Sequence, residues 1–249
     1  MNEVTTLPTA ERGRLARLLN LRAAGDALAT YYALQHPADK VRLFSYEPEG
    51  EAPRGFLVLA QTGFDLFRPL AVPFVASERG MRSLLRSALE PGRPVLLTMP
   101  LGQRLWAEAI LELSEVTLLS LFRMDAAVYE PILNVFLVEA SSPDGAPRYE
   151  IRGHGESLAA AGLNWRGDRF AEVYVQRDGA ANSAHIASVL SAIVGWLMKA
   201  GRIALLRLED GDQASHAAAE QVGFRLTGER TLMCQAIRPT PESTAANSR

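Results

Sequence analysis

At 249 residues and 48% hydrophobic content the chain can bury a sizeable core and suits two domains of ordinary size. Lys and Arg total 26 against 28 Asp and Glu, a net charge of −2 that excludes the broad basic face of a nucleic-acid binder. The single Cys234 excludes an internal disulfide, residues 128–140 are too broken by Glu130, Pro131, Asn134 and Glu139 to cross a bilayer, and residues 1–10 carry no basic-apolar leader, so a cytoplasmic protein is expected.

In chain order, Thr9 caps an expected helix with Leu15, Leu18, Leu19 and Leu28 at helical spacing, ending before Pro37. Strands follow at 41–46, 56–60 and 64–72, then a helix at 77–90, a strand at 95–98, a helix at 103–113 and a strand at 116–122. The second half repeats that order. Strands at 132–138, 148–153, 157–163 and 170–175 precede a long helix at 183–199, a strand at 203–208, a helix at 213–221 and closing strands at 224–227 and 231–237.

The halves also share local sequence. Leu84-Leu85 followed by Gly92-Arg93-Pro94-Val95-Leu96-Leu97 parallels Ile193-Val194 followed by Gly201-Arg202-Ile203-Ala204-Leu205-Leu206 at one constant offset. In each copy a helix stops at a glycine and a short apolar strand begins at once. The expectation is an α/β (α+β) protein with two tandem domains, 1–124 and 132–238, each a twisted mixed sheet flanked by helices, and a polar disordered tail at 239–249.

Near the C-terminus, the buried strand at 203–208, the alanine-rich helix stopped by Gly223 and the strand begun by Phe224 resemble the final third of GNAT acyltransferases, which bind acetyl-CoA. Asp212, Ser215, Ala219, Gly223 and Phe224 match the spacing of that family's last helix, in which the Asx and Ser positions face the pantetheine arm. The tyrosine that protonates the thiolate in many relatives is replaced here by Ala218 and Ala219. The resemblance implies a transferase in the second half, acetyl-CoA as co-substrate, a small-molecule or peptide amine as acceptor, and a degenerate first half.

Acyl transfer needs a pyrophosphate cradle, a sheet edge for the pantetheine amides, an oxyanion donor and a route for the amine proton. Free N–H groups at a helix N-terminus suit the first of these. The segment 176–186 stands where the family places its phosphate loop, but the pattern positions fall on Ala181, Ala184 and Ile186; the alternative register uses Gln176, Gly179 and Ala181. Arg177 is the nearby cation, and His185 lies at the mouth of the long helix. The resemblance places Val173 and Val175 on the strand that pairs with pantetheine.

Alternation puts Glu172 and Tyr174 on one face of the strand at 170–175 and Ala171, Val173 and Val175 on the other. Glu172 is the candidate base, or else a solvated edge carboxylate, and Tyr174 is its catalytic neighbour. Asn164 and Trp165 line an acceptor pocket or plug the end of the core. The four histidines are scattered, so no metal site is expected. Two readings from other classes stay open: a non-catalytic ligand-binding module, and a scaffold that uses the fold to form a homodimer. No nucleic-acid or membrane partner is expected.

Overall fold

The computed structural model describes residues 3–48, 51–63, 65, 67–141, 145–153 and 156–240. The chain divides into two compact units, residues 1–118 with 230–249, and residues 119–229. The expected tail at 241–249 lies outside the described residues.

Unit 1 starts with β1 (Val4–Leu7), a 3-10 turn over Thr9–Leu18 and a short α1 (Ala27–Thr30) that runs into one wide π turn at Tyr31–Gln35. The single helix expected here is split because Leu19 is extended and Asp26 turns the chain back by accepting from the N–H of Asn20 at 2.7 Å. Then come β2 (Val41–Tyr46), β3 (Gly55–Ala60) and β4 (Leu70–Val75). The strand expected at 64–72 starts late: Phe64 lies outside the described residues, and Asp65 accepts from the amides of Phe67 and Arg68 in a tight turn. Next are α2 (Glu78–Ala88), capped by Ser77, β5 (Pro94–Pro100), a brief α3 (Arg104–Glu108) and β6 (Glu112–Met124), which begins in the stretch expected to be helical.

Unit 2 contains β7 (Leu137–Ser141), β8 (Pro147–Gly153), β9 (Glu156–Arg166), β10 (Phe170–Arg177), α4 (Ser183–Lys199), β11 (Ile203–Glu209), α5 (Gln213–Val222) and the start of β12 (Phe224–Ile237). The strand expected at 132–138 is displaced because Asn134 closes a turn by accepting from the N–H of Phe136 at 2.9 Å. The two closing strands are one, passing through Gly228 at φ +86°.

The halves build the same mixed sheet, in the order β1-β2-β3-β4-β5 and β7-β8-β9-β10-β11, with one parallel pair in each, β4 with β5 and β10 with β11. The glycines of the repeated segment, Gly92 and Gly201, both adopt positive φ, and Leu84, Leu85, Ile193 and Val194 are all fully buried. The last strand of each sheet comes from elsewhere in the chain. β5 pairs with Thr231–Ile237 of β12, and β11 pairs with Leu119–Arg123 of β6. The expected domains 1–124 and 132–238 are therefore corrected at their ends: residues 231–237 belong to unit 1, and the division falls after Leu118.

Each unit has its own apolar core. In unit 1, α2 presents Met81, Leu84, Leu85 and Ala88 to Leu57, Leu97 and Leu232. In unit 2, α4 and α5 cover Ala171, Val173, Leu206 and Phe224. Gly223 ends α5 at φ +109°, and a Cβ there would lie 2.8 Å from Met124 Cε. Gly223→Val combines that contact with the left-handed conformation that costs an L-residue about 1–2 kcal/mol. A melting-point loss of several degrees is expected by circular dichroism, and an unchanged melt would refute this account of the turn. No helix among the described residues is long and apolar enough to cross a membrane.

Candidate active site

The site begins as a split in the sheet of unit 2. The parallel strands β10 and β11 pair for only four residues, Phe170 with Ile203 through Val173 with Leu206. Beyond Val173, β10 continues to Arg177 paired with β9, while β11 continues to Glu209 paired with β6. A register shift between Glu172 and Val173 marks where β10 bends away. The carboxyl ends of adjacent parallel strands are where open α/β sheets bind ligands, and here, among the described residues, the main chain at 174–177 has no strand partner on its β11 side.

Glu172 lies buried on the sheet face opposite α4, with both carboxylate oxygens engaged. Asn164 Nδ2 donates to Oε1 at 2.8 Å, Trp165 Nε1 donates to Oε2 at 2.9 Å, and the buried Arg207 guanidinium forms an ion pair with Oε2. Asn164 and Trp165 are consecutive, so a regular strand would send them to opposite faces. The register shift lets both reach one carboxylate. Asn164 and Trp165, expected to line an acceptor pocket or plug the core, and Glu172, the candidate base, are tied to each other. The carboxylate is thus committed to three donors, one of them the buried Arg207 cation, and the Trp165 indole is packed rather than lining an open pocket.

Tyr174 shares that face and falls within the split. Arg148 Nη1 donates to Tyr174 Oη at 2.8 Å and to Gln176 Oε1 at 3.1 Å. Among the described residues no hydrogen bond takes the Tyr174 hydroxyl proton. Gly162 makes room for the ring, since a Cβ there would lie 2.6 Å from Tyr174 Oη. Burial works against the Arg148 charge, but hydrogen bonds to Glu150 and Tyr174 outweigh it and raise its pKa. Arg148 in turn holds the Glu150 carboxyl below its ordinary range, with Arg152 adding to the effect.

On the other face, Ala171 and Val173 are core residues beneath α4, and Val175 packs against them. The side chains of Ala171 and Val173 are committed to this core, and that of Val175 is partly buried against it. Ile186 is fully buried in the same core, so its side chain is turned away from any phosphate, which corrects its place among the cofactor contacts.

The loop before α4 spends much of its hydrogen-bonding capacity internally. Asn182 and His185 form a capping box: the His185 amide donates to Asn182 Oδ1 at 3.0 Å, and the Asn182 amide donates to His185 Nδ1 at 3.4 Å. The amides of Asp178 and Ala181 bond to Leu158 O and Asp178 O. Ser183 and Ala184, in the first turn of α4, are exposed, and first-turn amides have no acceptor within their own helix.

Arg177 is engaged too, with its guanidinium 3.2 Å from Asp212 Oδ1. Asp212 also caps α5, accepting from the Ser215 amide at 3.2 Å and the Ser215 hydroxyl at 2.6 Å. Burial alone would raise the Asp212 carboxyl, but Ser215 and Arg177 together hold it below its ordinary value. Ser215 is fully buried, so its hydroxyl serves this cap rather than an open groove.

Arg207, Arg148 and Gly162 escaped the sequence reading. Arg207 had a signal, as the lone charge inside the apolar run 203–208. Arg148 and Gly162 had none, because their partners are on other strands. At the equivalent position in unit 1, Ser77 caps α2 and Gly80 is packed against Val75 and Tyr46, while Arg54 pairs with Glu51. Burial pushes the Cys234 thiol up to about 11, which leaves it protonated at neutral pH. Among the described residues no group of His, Cys, Asp and Glu is placed to hold a metal ion.

No family model matches this chain, and no curated protein sequence does. Solved structures do. A GCN5-related N-acetyltransferase-like protein from Streptococcus suis aligns over 92% of this chain and 100% of its own at 12% identity, with a TM-score of 0.60. A tandem GNAT protein from the clavulanic acid biosynthesis pathway covers 96% of this chain and 99% of its own at 12% identity, TM-score 0.58. A putative GNAT acetyltransferase from Novosphingobium aromaticivorans covers 82% and 91% at 15% identity, TM-score 0.53. The chain thus has the GNAT fold, an α/β architecture of mixed sheets flanked by helices.

Proposed function

We propose that unit 2 binds acetyl-CoA in the split between β10 and β11 and transfers its acetyl group to an amine. The observation that carries this reading is the loss of pairing after Val173 and Leu206, which leaves a strand edge for the pantetheine amides beside the first turn of α4. The Ser183 and Ala184 amides then face the pyrophosphate, with the helix dipole behind them.

In the reaction the amine nitrogen attacks the thioester carbonyl carbon, the C–S bond breaks and the thiolate leaves. Tyr174, with its oxygen held by Arg148, would give that sulfur a proton and take one back from water. Glu172 and Asp212 are both committed to structural partners, so the amine proton passes to water. Tandem duplication with a degenerate first half fits the shared strand order of the two units.

A second reading, a non-catalytic ligand-binding module, is favoured by the self-capped α4 and the Arg177–Asp212 pair. Calorimetry with acetyl-CoA separates the two. Wild type is expected to bind, and Ala184→Glu, whose carboxylate suits a first helical turn yet opposes phosphate, is expected to bind at least roughly tenfold more weakly with an undiminished melt. No binding at millimolar acetyl-CoA would remove the transferase. Binding without turnover on a panel of amines would select the module.

A further inference from the structure

The segment leading into β7 is an apolar surface held rigid from beneath. Tyr129 Oη donates to Ser191 O at 2.9 Å, the Ile132 amide to Ser191 Oγ at 2.9 Å, and Asn134 Nδ2 to Ser188 Oγ at 3.1 Å. Ser188 and Ser191 are buried on α4, and Asn134 also accepts from the amides of Phe136 and Leu137. Outward from this anchored strip point Leu133, 94% exposed, Val135, 92%, Phe136, 71%, and Val138, 42%. Four large apolar side chains within six residues, on a segment tied to α4 by three hydrogen bonds, form an apolar surface of the kind that marks docking sites.

The strip runs directly into β7, the end strand of the unit 2 sheet, which pairs with β8 alone among the described residues. β7 reads Leu-Val-Glu-Ala-Ser and carries neither the lysine nor the proline that commonly guards a sheet edge.

We propose that this surface joins two copies of the chain about a two-fold axis, with β7 of each copy paired antiparallel to the other and the residue 133–138 strips packed across the axis. An edge strand with an adjacent apolar strip is self-complementary under such an axis, because each copy offers both the ladder and the anchors. The exposed portions of the four side chains amount to about 500 Å² per copy, so a pair buries about 1,000 Å² before the main chain is counted, which is the lower bound of a specific interface. Residues 241–249 of the same chain contain no large apolar side chain and do not suit the strip.

Sedimentation velocity of the full chain across a micromolar concentration series tests this. Wild type is expected to sediment as a concentration-dependent dimer. Val135→Glu with Phe136→Ser is expected to be a monomer with the wild-type melt, since both side chains are exposed. Hydrogen exchange of β7 amides should slow as wild type dimerises, and this arm, with Leu133→Glu alone, decides the matter if the double variant misfolds. A monomeric wild type, a dimer that survives these substitutions, or β7 exchange indifferent to concentration would overturn the proposal.

Discussion

Ending the chain at Glu229 is expected to unfold unit 1. The deleted residues supply the antiparallel partner of β5 on the side away from β4, seven register pairs from Thr231 with Pro100 to Ile237 with Pro94. They also bring Leu232, Cys234 and Ala236 into the core, each essentially inaccessible to solvent. Burying a leucine contributes about 1.5–3 kcal/mol, and β5 would in addition expose Leu97 and Met99 on the face that β12 helps to cover. The combined loss is comparable with the roughly 5–15 kcal/mol that holds an ordinary domain together. Hydrogen exchange should show β2 to β5 deprotected in the truncated chain, and a synthetic peptide of residues 230–240 should restore protection in trans. Unchanged protection after truncation would mean that the terminal strand is dispensable.

The second large effect concerns the buried ion pair. Glu172→Gln leaves the Arg207 guanidinium charged and buried without its counter-ion, a situation that typically costs about 3–5 kcal/mol. For a chain of this size that corresponds to a melting-point drop of roughly 6–20 °C. Combining Glu172→Leu with Arg207→Met removes both charges and should recover much of the loss, although the Trp165 indole N–H then lacks its acceptor at a cost of about 1–3 kcal/mol. The same variants separate structure from catalysis. If Glu172 only positions Asn164, Trp165 and Arg207, the pH profile of acetyl transfer by the surviving folded fraction keeps its shape. Loss of the acidic limb in Glu172→Gln would return the carboxylate to the chemistry as a base.

The sequence carried the fold further than it carried the site. Helices with a strong cap and an apolar face were placed to within two residues: Ser77 opens α2, and Asp212 and Gly223 bracket α5. The misplaced elements depended on side chains closing local turns, as Asn134 and Asp65 do, because such residues override a periodicity that otherwise reads as strand. The exchange of final strands was invisible, since helix-Gly-strand units give no sign of which β5-like strand the terminal segment will join.

At the site, alternation put Glu172 and Tyr174 on one face, while Asn164 and Trp165, expected at a turn, lie within β9 and bond to Glu172. Arg207 reversed the reading of Glu172, because a charge on the neighbouring parallel strand is adjacent in space but 35 residues away in sequence. The cofactor contacts diverged for a similar reason. Asp212, Ser215, Arg177 and His185 stand where spacing put them, yet they satisfy each other and Asn182.

The crossed parentage of the terminal strands also dictates the timetable of synthesis. A nascent chain that has emerged from the ribosome through β5 must wait for more than 130 further residues before the strand's permanent neighbour exists. Such distant pairing makes folding slow, and the apolar margin left open in the meantime invites association with other unfinished chains. Production of this protein should therefore respond to translation speed and chaperone supply more than its modest size would suggest.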